Sequence, residues 1–169
     1  MGRRNSHCSF CGAPFDEAAP WPRRCTACGE TTYRNPVPVA VLLVPVDGGL
    51  LVVRRAIPPH RGALALPGGY INHGETWQQA GARELLEETG ILIEPHTVAD
   101  FKTRSAPDGT LLVFGVAPAQ RITDLPTFAP RDEVSERLIL YAPMELAFSL
   151  HTDAMRAWFA ANARSRSGG

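Results

Sequence analysis

Glu84, Glu87 and Glu88 crowd into one short stretch that directly follows a glycine-rich loop running from Gly68 to Gly74. Carboxylate oxygens are the ligands a hard divalent cation such as Mg²⁺ prefers. On a helix of 3.6 residues per turn, positions i, i+3 and i+4 share one face within an arc of roughly 100°. Three like charges that close would raise each other's pKa unless something positive sat among them. Arg83 supplies one positive charge, four residues before Glu87 and eight after Glu75. A bound cation would do this better than one arginine. The spacing therefore points to a metal site for phosphate chemistry, set against the plainer reading of a solvated acidic helix face.

A second set of metal-type ligands stands near the N-terminus. All four cysteines precede residue 29, as Cys8-Ser-Phe-Cys11 and Cys25-Thr-Ala-Cys28. Two CxxC pairs at this separation fit a tetrahedral Cys₄ zinc site, each pair forming a knuckle that presents two thiolates. Gly12 and Gly29 follow the second cysteine of each pair, where a knuckle needs a permissive backbone. Two disulfides would require an oxidising compartment, and a redox CxxC is expected beside a βαβ unit. His7, His60, His73, His96 and His151 are scattered without paired ligand spacing, so none is read as a metal ligand.

The elements that must position these groups can be read in outline. The helix is expected over 75–89, with Gly90 ending it and Ala82, Leu85, Leu86 and Thr89 turned toward a core. Upstream, the apolar run Val37–Val46, the turn signal Asp47-Gly48-Gly49 and Leu50–Arg55 predict a hairpin. Downstream, 97–104 and 111–117 read as strands, 120–135 as a long loop and 137–141 as a short strand. A final amphipathic helix is expected over 152–162, packing Met155, Trp158 and Phe159. Strands mixed with helices on this plan indicate an α/β class. The expected division is a zinc ribbon over 1–33, a main domain over 36–162 and a disordered tail over 163–169. The ribbon is too small to hold a core without its metal.

Composition narrows the partners. The chain has 169 residues, with 17 basic and 17 acidic side chains and a formal net charge of zero. Nothing in that balance suggests a general nucleic-acid or membrane surface. Basic pairs at the ends, Arg3-Arg4 and Arg164 with Arg166, read as tails. No run approaches the roughly 18 apolar residues of a membrane span, and no signal-peptide core opens the chain. A cytoplasmic enzyme is the expectation.

The segment from Gly69 to Ile91 matches a longer pattern: Gly, five residues, Glu, seven residues, then Arg-Glu-Leu-Leu-Glu-Glu-Thr-Gly-Ile. Seven fixed positions at ordinary composition match by chance at about 10⁻⁸ to 10⁻⁹ per starting point. On these residues the chain resembles the Nudix hydrolase superfamily. The resemblance implies an α/β/α sandwich with a curved mixed sheet and cleavage of a nucleoside diphosphate linked to another moiety. It implies Mg²⁺ or Mn²⁺ held by Glu84, Glu87, Glu88 and the carbonyl of Gly68, with Arg83 and Glu75 orienting the ligands. A further carboxylate from a later loop is expected as ligand or general base. Glu133 and Glu136 are the candidates, and Glu136, just ahead of a strand, resembles the family position better.

The ribbon before this domain resembles NADH pyrophosphatases, which also remove NAD caps from RNA, and short relatives of plant FAD pyrophosphatases. The first group carries a Ser-Gln-Pro-Trp-Pro-Phe-Pro stretch. Here the corresponding region is Lys102-Thr103-Arg104-Ser105-Ala106-Pro107-Asp108, a departure that weighs against NADH preference. Dinucleotide-type substrates such as FAD, NADH or ADP-ribose are expected. Nucleoside triphosphates or capped RNA ends are the alternative, and a non-catalytic nucleotide sensor or nucleic-acid-binding regulator is a third reading. Arg54, Arg55 and Arg104 could meet phosphates. Tyr70, Trp77, Phe101 and Phe128 could stack on a base, although aromatic residues mainly serve burial. Ribbons in related proteins often pack against a second subunit, so a homodimer is expected.

Overall fold

A computed structural model describes residues 5–166. The pair Arg3-Arg4 and the last three residues of the expected tail lie outside this range. The chain divides into two compact units, Met1–Pro36 and Val37–Gly169.

In the first unit, strands β1 (Arg23–Arg24) and β2 (Thr31–Thr32) pair antiparallel. Each CxxC pair closes the same kind of turn. Gly12 N–H donates to the carbonyl of Cys8 at 3.0 Å, and Gly29 N–H to that of Cys25 at 2.9 Å. Both glycines have φ between 75° and 79°, a region that other residues enter only at a cost.

The second unit contains strands β3 (Val37–Leu43), β4 (Pro45–Val46), β5 (Gly49–Arg55), β6 (Leu64–Ala65) and β7 (Gly68–Tyr70). Helix α1 (Trp77–Thr89) follows, then β8 (Ala99–Ser105), β9 (Thr110–Val116), β10 (Val134–Leu140) and helix α2 (Ser149–Arg166). One sheet has the order β7-β3-β9-β8 and is mixed, because β3 and β9 run parallel. The other has the order β10-β5-β4, with β6 also on β5.

This corrects the expected hairpin. Only Pro45–Val46 pairs with the start of β5, while Val37–Leu43 departs into the other sheet. The physical reason lies in burial. Residues 41–44 are buried on both faces, as suits a central strand flanked on both sides rather than one arm of an exposed hairpin. Pro45, which has no amide proton, sits where the chain changes sheets.

Side chains alternate across these strands. Leu42, Val44, Leu51 and Val53 pack with Ala82 and Leu85 of α1. Val41, Leu43, Leu50 and Val52 pack with Ala154, Met155 and Trp158 of α2. The period of two thus divides each strand between two helical layers, which gives the sandwich. Leu85 alone, fully buried, contributes about 1.5–3 kcal/mol. Leu86 does not join it. It stands at the rim of that helix face, beside Glu87, and is 40% exposed.

Thr76 caps α1 two residues later than the expected start. Its hydroxyl accepts from Gln79 N–H at 3.2 Å, and the Gln79 side-chain oxygen accepts from Thr76 N–H at 2.7 Å. At the far end Gly90 adopts the left-handed conformation. Helix α2 begins before and ends after the expected 152–162, so residues 163–166 are helical rather than an unordered tail. Among the described residues no helix is long and apolar enough to cross a membrane.

Candidate active site

Helix α1 lies directly against the β7 loop. A Cβ on Gly69 would fall 2.3 Å from Glu84 Oε1, so any larger residue there would push that carboxylate aside. One residue earlier, Gly68 N–H donates to Glu88 Oε2 at 3.0 Å. The glycine-rich loop and the acidic helix are thus one assembly.

Arg83 is its hub. Its Nη2 donates to Glu75 Oε1 at 2.7 Å and to the Tyr70 carbonyl at 2.9 Å. Its Nη1 donates to Glu84 Oε1 at 2.8 Å and to Glu87 Oε2 at 3.2 Å. Glu75 is fastened from the other side by Asn72 N–H at 2.6 Å. Arg83 therefore serves three of the four box carboxylates and leaves Glu88 with no hydrogen bond from an arginine; Arg55 acts on it only through its charge.

The electrostatics follow from this division. Glu75 is held below the usual carboxylate range, first by its hydrogen bond from Arg83 and then by the Asn72 amide. Glu84 is pushed up by burial, against Arg83 and with the added repulsion of Glu87 and Glu133. Glu88 is pushed up to about 8 by burial, reinforced by Glu84 and Glu133 and only partly offset by the Gly68 amide and the charge of Arg55. Negative charge that is costly to hold and short of a partner is the condition a cation relieves.

Burial grades the set: the Glu84 side chain is 16% exposed and that of Glu87 57%. The carboxylates are not gathered as tightly as the cysteines. The four thiols form the one group, among the described residues, whose ligand atoms all lie within 4.8 Å of one another. An all-oxygen set spread in this way suits cations that keep part of their water, as Mg²⁺ does.

The acidic face forms one wall of a cleft of about 1100 Å³. Gly68, Gly69, Tyr70, Glu84, Glu87 and Glu88 line it together with Arg55 and Glu133. Arg55 donates from Nε to the Pro59 carbonyl at 2.8 Å and lies over the Phe148 ring at 5.2 Å. Farther along, the cleft is walled by His60, Phe148, Leu150 and His151. Nothing in the spacing of these last residues marks them in the sequence.

Several expected site residues are placed elsewhere. Glu136 is drawn to Arg54, with Oε2 2.7 Å from Nε, and does not line the cleft. Glu133, the other candidate, lines the cleft. The cause is the irregular register at the start of β10, where Val134 opposes Arg55 but Glu136 opposes Arg54. Arg54 and Arg55 then follow the alternation of a strand, one toward Glu136 and the other toward the cleft. Trp77 fills the slot left by the missing side chain of Gly115, where a Cβ would fall 2.6 Å from the indole. It packs with the α1-side core and does not line the cleft, where it could have stacked on a base. Arg104 is exposed on β8, donates to its neighbour Thr103 and does not line the cleft. Phe101 packs on the α2-side core, and Phe128 lies under Arg137 at 5.6 Å.

In the first unit the sulfur atoms of Cys8 and Cys28 are 3.7 Å apart, and those of Cys11 and Cys25 are 3.6 Å apart. Bonds of about 2.3 Å to a tetrahedral ion place sulfurs roughly 3.8 Å apart, whereas a disulfide needs about 2.05 Å. The knuckle amides aim at the sulfurs. Cys8 is held down to about 6, first by the Cys11 amide and then by that of Phe10. Cys25 is lowered chiefly by the Cys28 amide.

The family model of the NUDIX domain matches residues 34–161. The NAD-capped RNA hydrolase NudC of Klebsiella pneumoniae is 28% identical over 155 residues, covering 81% of this chain and 60% of that protein. The protein of the same name from Shigella flexneri is 26% identical with the same coverage. The chain spans about 60% of the length of these curated relatives. A NUDIX hydrolase from Nitrosomonas europaea superposes with a TM-score of 0.75 at 24% identity, covering 94% of this chain and 93% of the other. The NUDIX domain of Shewanella oneidensis NrtR, solved with ADP ribose, gives 0.59 at 21% identity, covering 79% and 90%. At these identities the structures show a shared fold.

Proposed function

The chain belongs to the NUDIX domain family, and on that premise we propose that it is a cation-dependent pyrophosphohydrolase. Its substrate is a nucleoside diphosphate linked to another moiety, of the dinucleotide type represented by FAD, NADH and ADP-ribose. The observation that carries the reading is the pair of buried carboxyls Glu84 and Glu88, which face a long cleft and whose negative charge burial makes costly to hold.

Glu84, Glu87, Glu88, Glu133 and the Gly68 carbonyl are the groups that would hold Mg²⁺ or Mn²⁺. Such cations neutralise phosphate oxygens and lower the pKa of bound water enough to make it a nucleophile. The residues of the chain do the rest. Arg83 and Glu75 fix the carboxylate rotamers before a substrate arrives, as outer partners of a metal site do. Gly69 allows the loop to lie directly on Glu84. Arg55, whose Nε is committed to Pro59, is held with its guanidinium in the cleft, where it can neutralise a phosphate oxygen. The apolar far wall excludes water and has room for the group beyond the diphosphate. Zn²⁺ is the ion proposed for the four thiols, in a closed structural site without an open position.

Two supports bear on the substrate. The curated relatives carry the name NAD-capped RNA hydrolase, and the NrtR domain holds ADP ribose. Both concern an adenylate joined through a diphosphate, and the first adds NAD-capped RNA to the substrates to be tried. The test is a panel of FAD, NADH, ADP-ribose, nucleoside triphosphates and NAD-capped RNA with Mg²⁺ or Mn²⁺, read by chromatography. Two monophosphate products from a dinucleotide support the proposal. Pyrophosphate plus a monophosphate from triphosphates alone would overturn the substrate class.

A further inference from the structure

His151 is 6% exposed, yet it lines the cleft. Its Nδ1 accepts the backbone N–H of Leu66 at 3.3 Å. An imidazole nitrogen that accepts carries a lone pair, so the ring proton sits on Nε2. The ring is set between Phe114, at 5.8 Å edge to face, and Phe148, at 5.0 Å. Its Nε2 has no partner among the described residues. No fully buried side-chain nitrogen or oxygen there lacks one either. Nε2 therefore opens onto the cleft as a donor with nothing to donate to.

The same short segment locates this donor relative to the chemistry. Leu66 N–H is held by His151 and Gly68 N–H by Glu88. Two residues along the chain separate the amide that His151 holds from the one that Glu88 holds. His151 and the acidic wall thus line the same cleft, the histidine on the side bounded by Phe148 and Leu150.

We propose that His151 is a substrate-recognition residue whose Nε2–H donates to an uncharged oxygen or nitrogen acceptor on the group joined to the diphosphate. The acceptor is a ring carbonyl, a ring nitrogen or a sugar hydroxyl, not a phosphate. Apolar neighbours favour a neutral acceptor over an anion, and Arg55 already serves the anion. Burial, aided by the charge of Arg55, holds the imidazole down to about 3, so it stays a neutral donor across the working pH range. This inference rests on the dinucleotide-hydrolase reading above and adds to it the residue that reads the attached group.

Two substitutions separate recognition from structure. His151→Asn keeps an acceptor near the Nδ1 position for Leu66 and removes the cleft donor. His151→Gln keeps a donor near Nε2 and gives up the acceptor. Steady-state rates on FAD, NADH and ADP-ribose, with melting temperatures, are the readout. Recognition predicts that His151→Asn raises KM roughly tenfold to a hundredfold, with kcat and melting temperature close to wild type. His151→Gln should hold KM within a few-fold and melt lower. A KM rise on all three substrates puts the acceptor on their shared adenylate half, and a rise confined to FAD or NADH puts it on the other ring. An unchanged KM for His151→Asn, or an equal rise in both variants, overturns the proposal.

A measurement on the wild-type protein covers the case in which neither variant folds. With ¹⁵N-labelled histidine, the Nε2–H signal of His151 should shift on titration with AMP, FMN or nicotinamide mononucleotide. No shift with any of them overturns the proposal. Failure of the wild type to cleave any of the three substrates would instead overturn the function reading, and the titration would still decide the donor.

Discussion

The two ligand clusters of this chain use opposite strategies. In the cysteine cluster, backbone turns fix the ligand atoms within 4.8 Å of one another, backbone amides lower Cys8 and Cys25, and burial with the neighbouring thiols pushes Cys28 up to about 12. In the carboxylate cluster, a helix sets the spacing, a side chain, Arg83, holds the oxygens, and burial raises the acids instead of lowering them. The first arrangement closes four ligand atoms on one point and suits a staple. The second is spread along a helix face and open to a cleft, which suits an exchangeable ion and a substrate. The contrast lies in how tightly the ligand atoms are gathered and in what they face.

The largest effect expected from this contrast is in the ribbon. Structural zinc supplies an apparent ~10–16 kcal/mol in small modules, so a strong chelator should unfold the first unit. Amide protection should vanish over the described part of 1–36 and persist in β3, β5 and α1. Persistent protection around the cysteines in excess chelator would end the staple interpretation.

Next comes the acidic cluster. Glu88→Gln or Glu84→Gln should lower kcat by several orders of magnitude with an unchanged circular dichroism spectrum. Wild-type turnover in either folded variant would remove the carboxylates from the chemistry.

The third difference is one of pH. Glu88 favours its proton in the fold, with its pKa raised to about 8 from an ordinary 4.5. Its contribution to stability is fully present below about 4.5 and is lost as pH rises through about 8. Cation-free protein should therefore lose several degrees of melting temperature between about pH 5 and 8. Added Mg²⁺ should restore more of it the higher the pH, because the ion displaces the proton. The slope should disappear in Glu88→Gln; a slope that survives there must have another source.

The smallest test separates two neighbouring acids. Glu133→Gln should lower kcat about ten- to a hundredfold, while Glu136→Gln, which breaks only an exposed pair with Arg54, should stay within about threefold. Equal losses would return Glu136 to the site.

What the sequence made legible was local. Glu84, Glu87 and Glu88 needed only the helical period, and the cysteines only the knuckle spacing. The thiols come together as the knuckle spacing predicts, and the three glutamates share the cleft side of α1. Leu86 shows the limit of a period read by eye, since an arc has a rim. The misreadings were non-local. The β3 strand leaves its neighbour because its parallel partner β9 begins more than sixty residues later, at Thr110, and no short-range signal marks that pairing. Glu133 and not Glu136 lines the cleft because of one irregular step in β10, and Trp77 turned inward because Gly115, far along the chain, left room for it. His151 joined the cleft by the same kind of distant contact.

The three residues Leu66, Pro67 and Gly68 tie these parts together. One amide is spoken for by a histidine of α2, the other by a glutamate of α1, and the proline carbonyl between them accepts from Leu42 N–H at 2.9 Å. The segment works as a splice: it joins both helical layers to the central strand through three consecutive backbone links. The acidic helix and the histidine on the opposite layer are thus anchored to one and the same tripeptide.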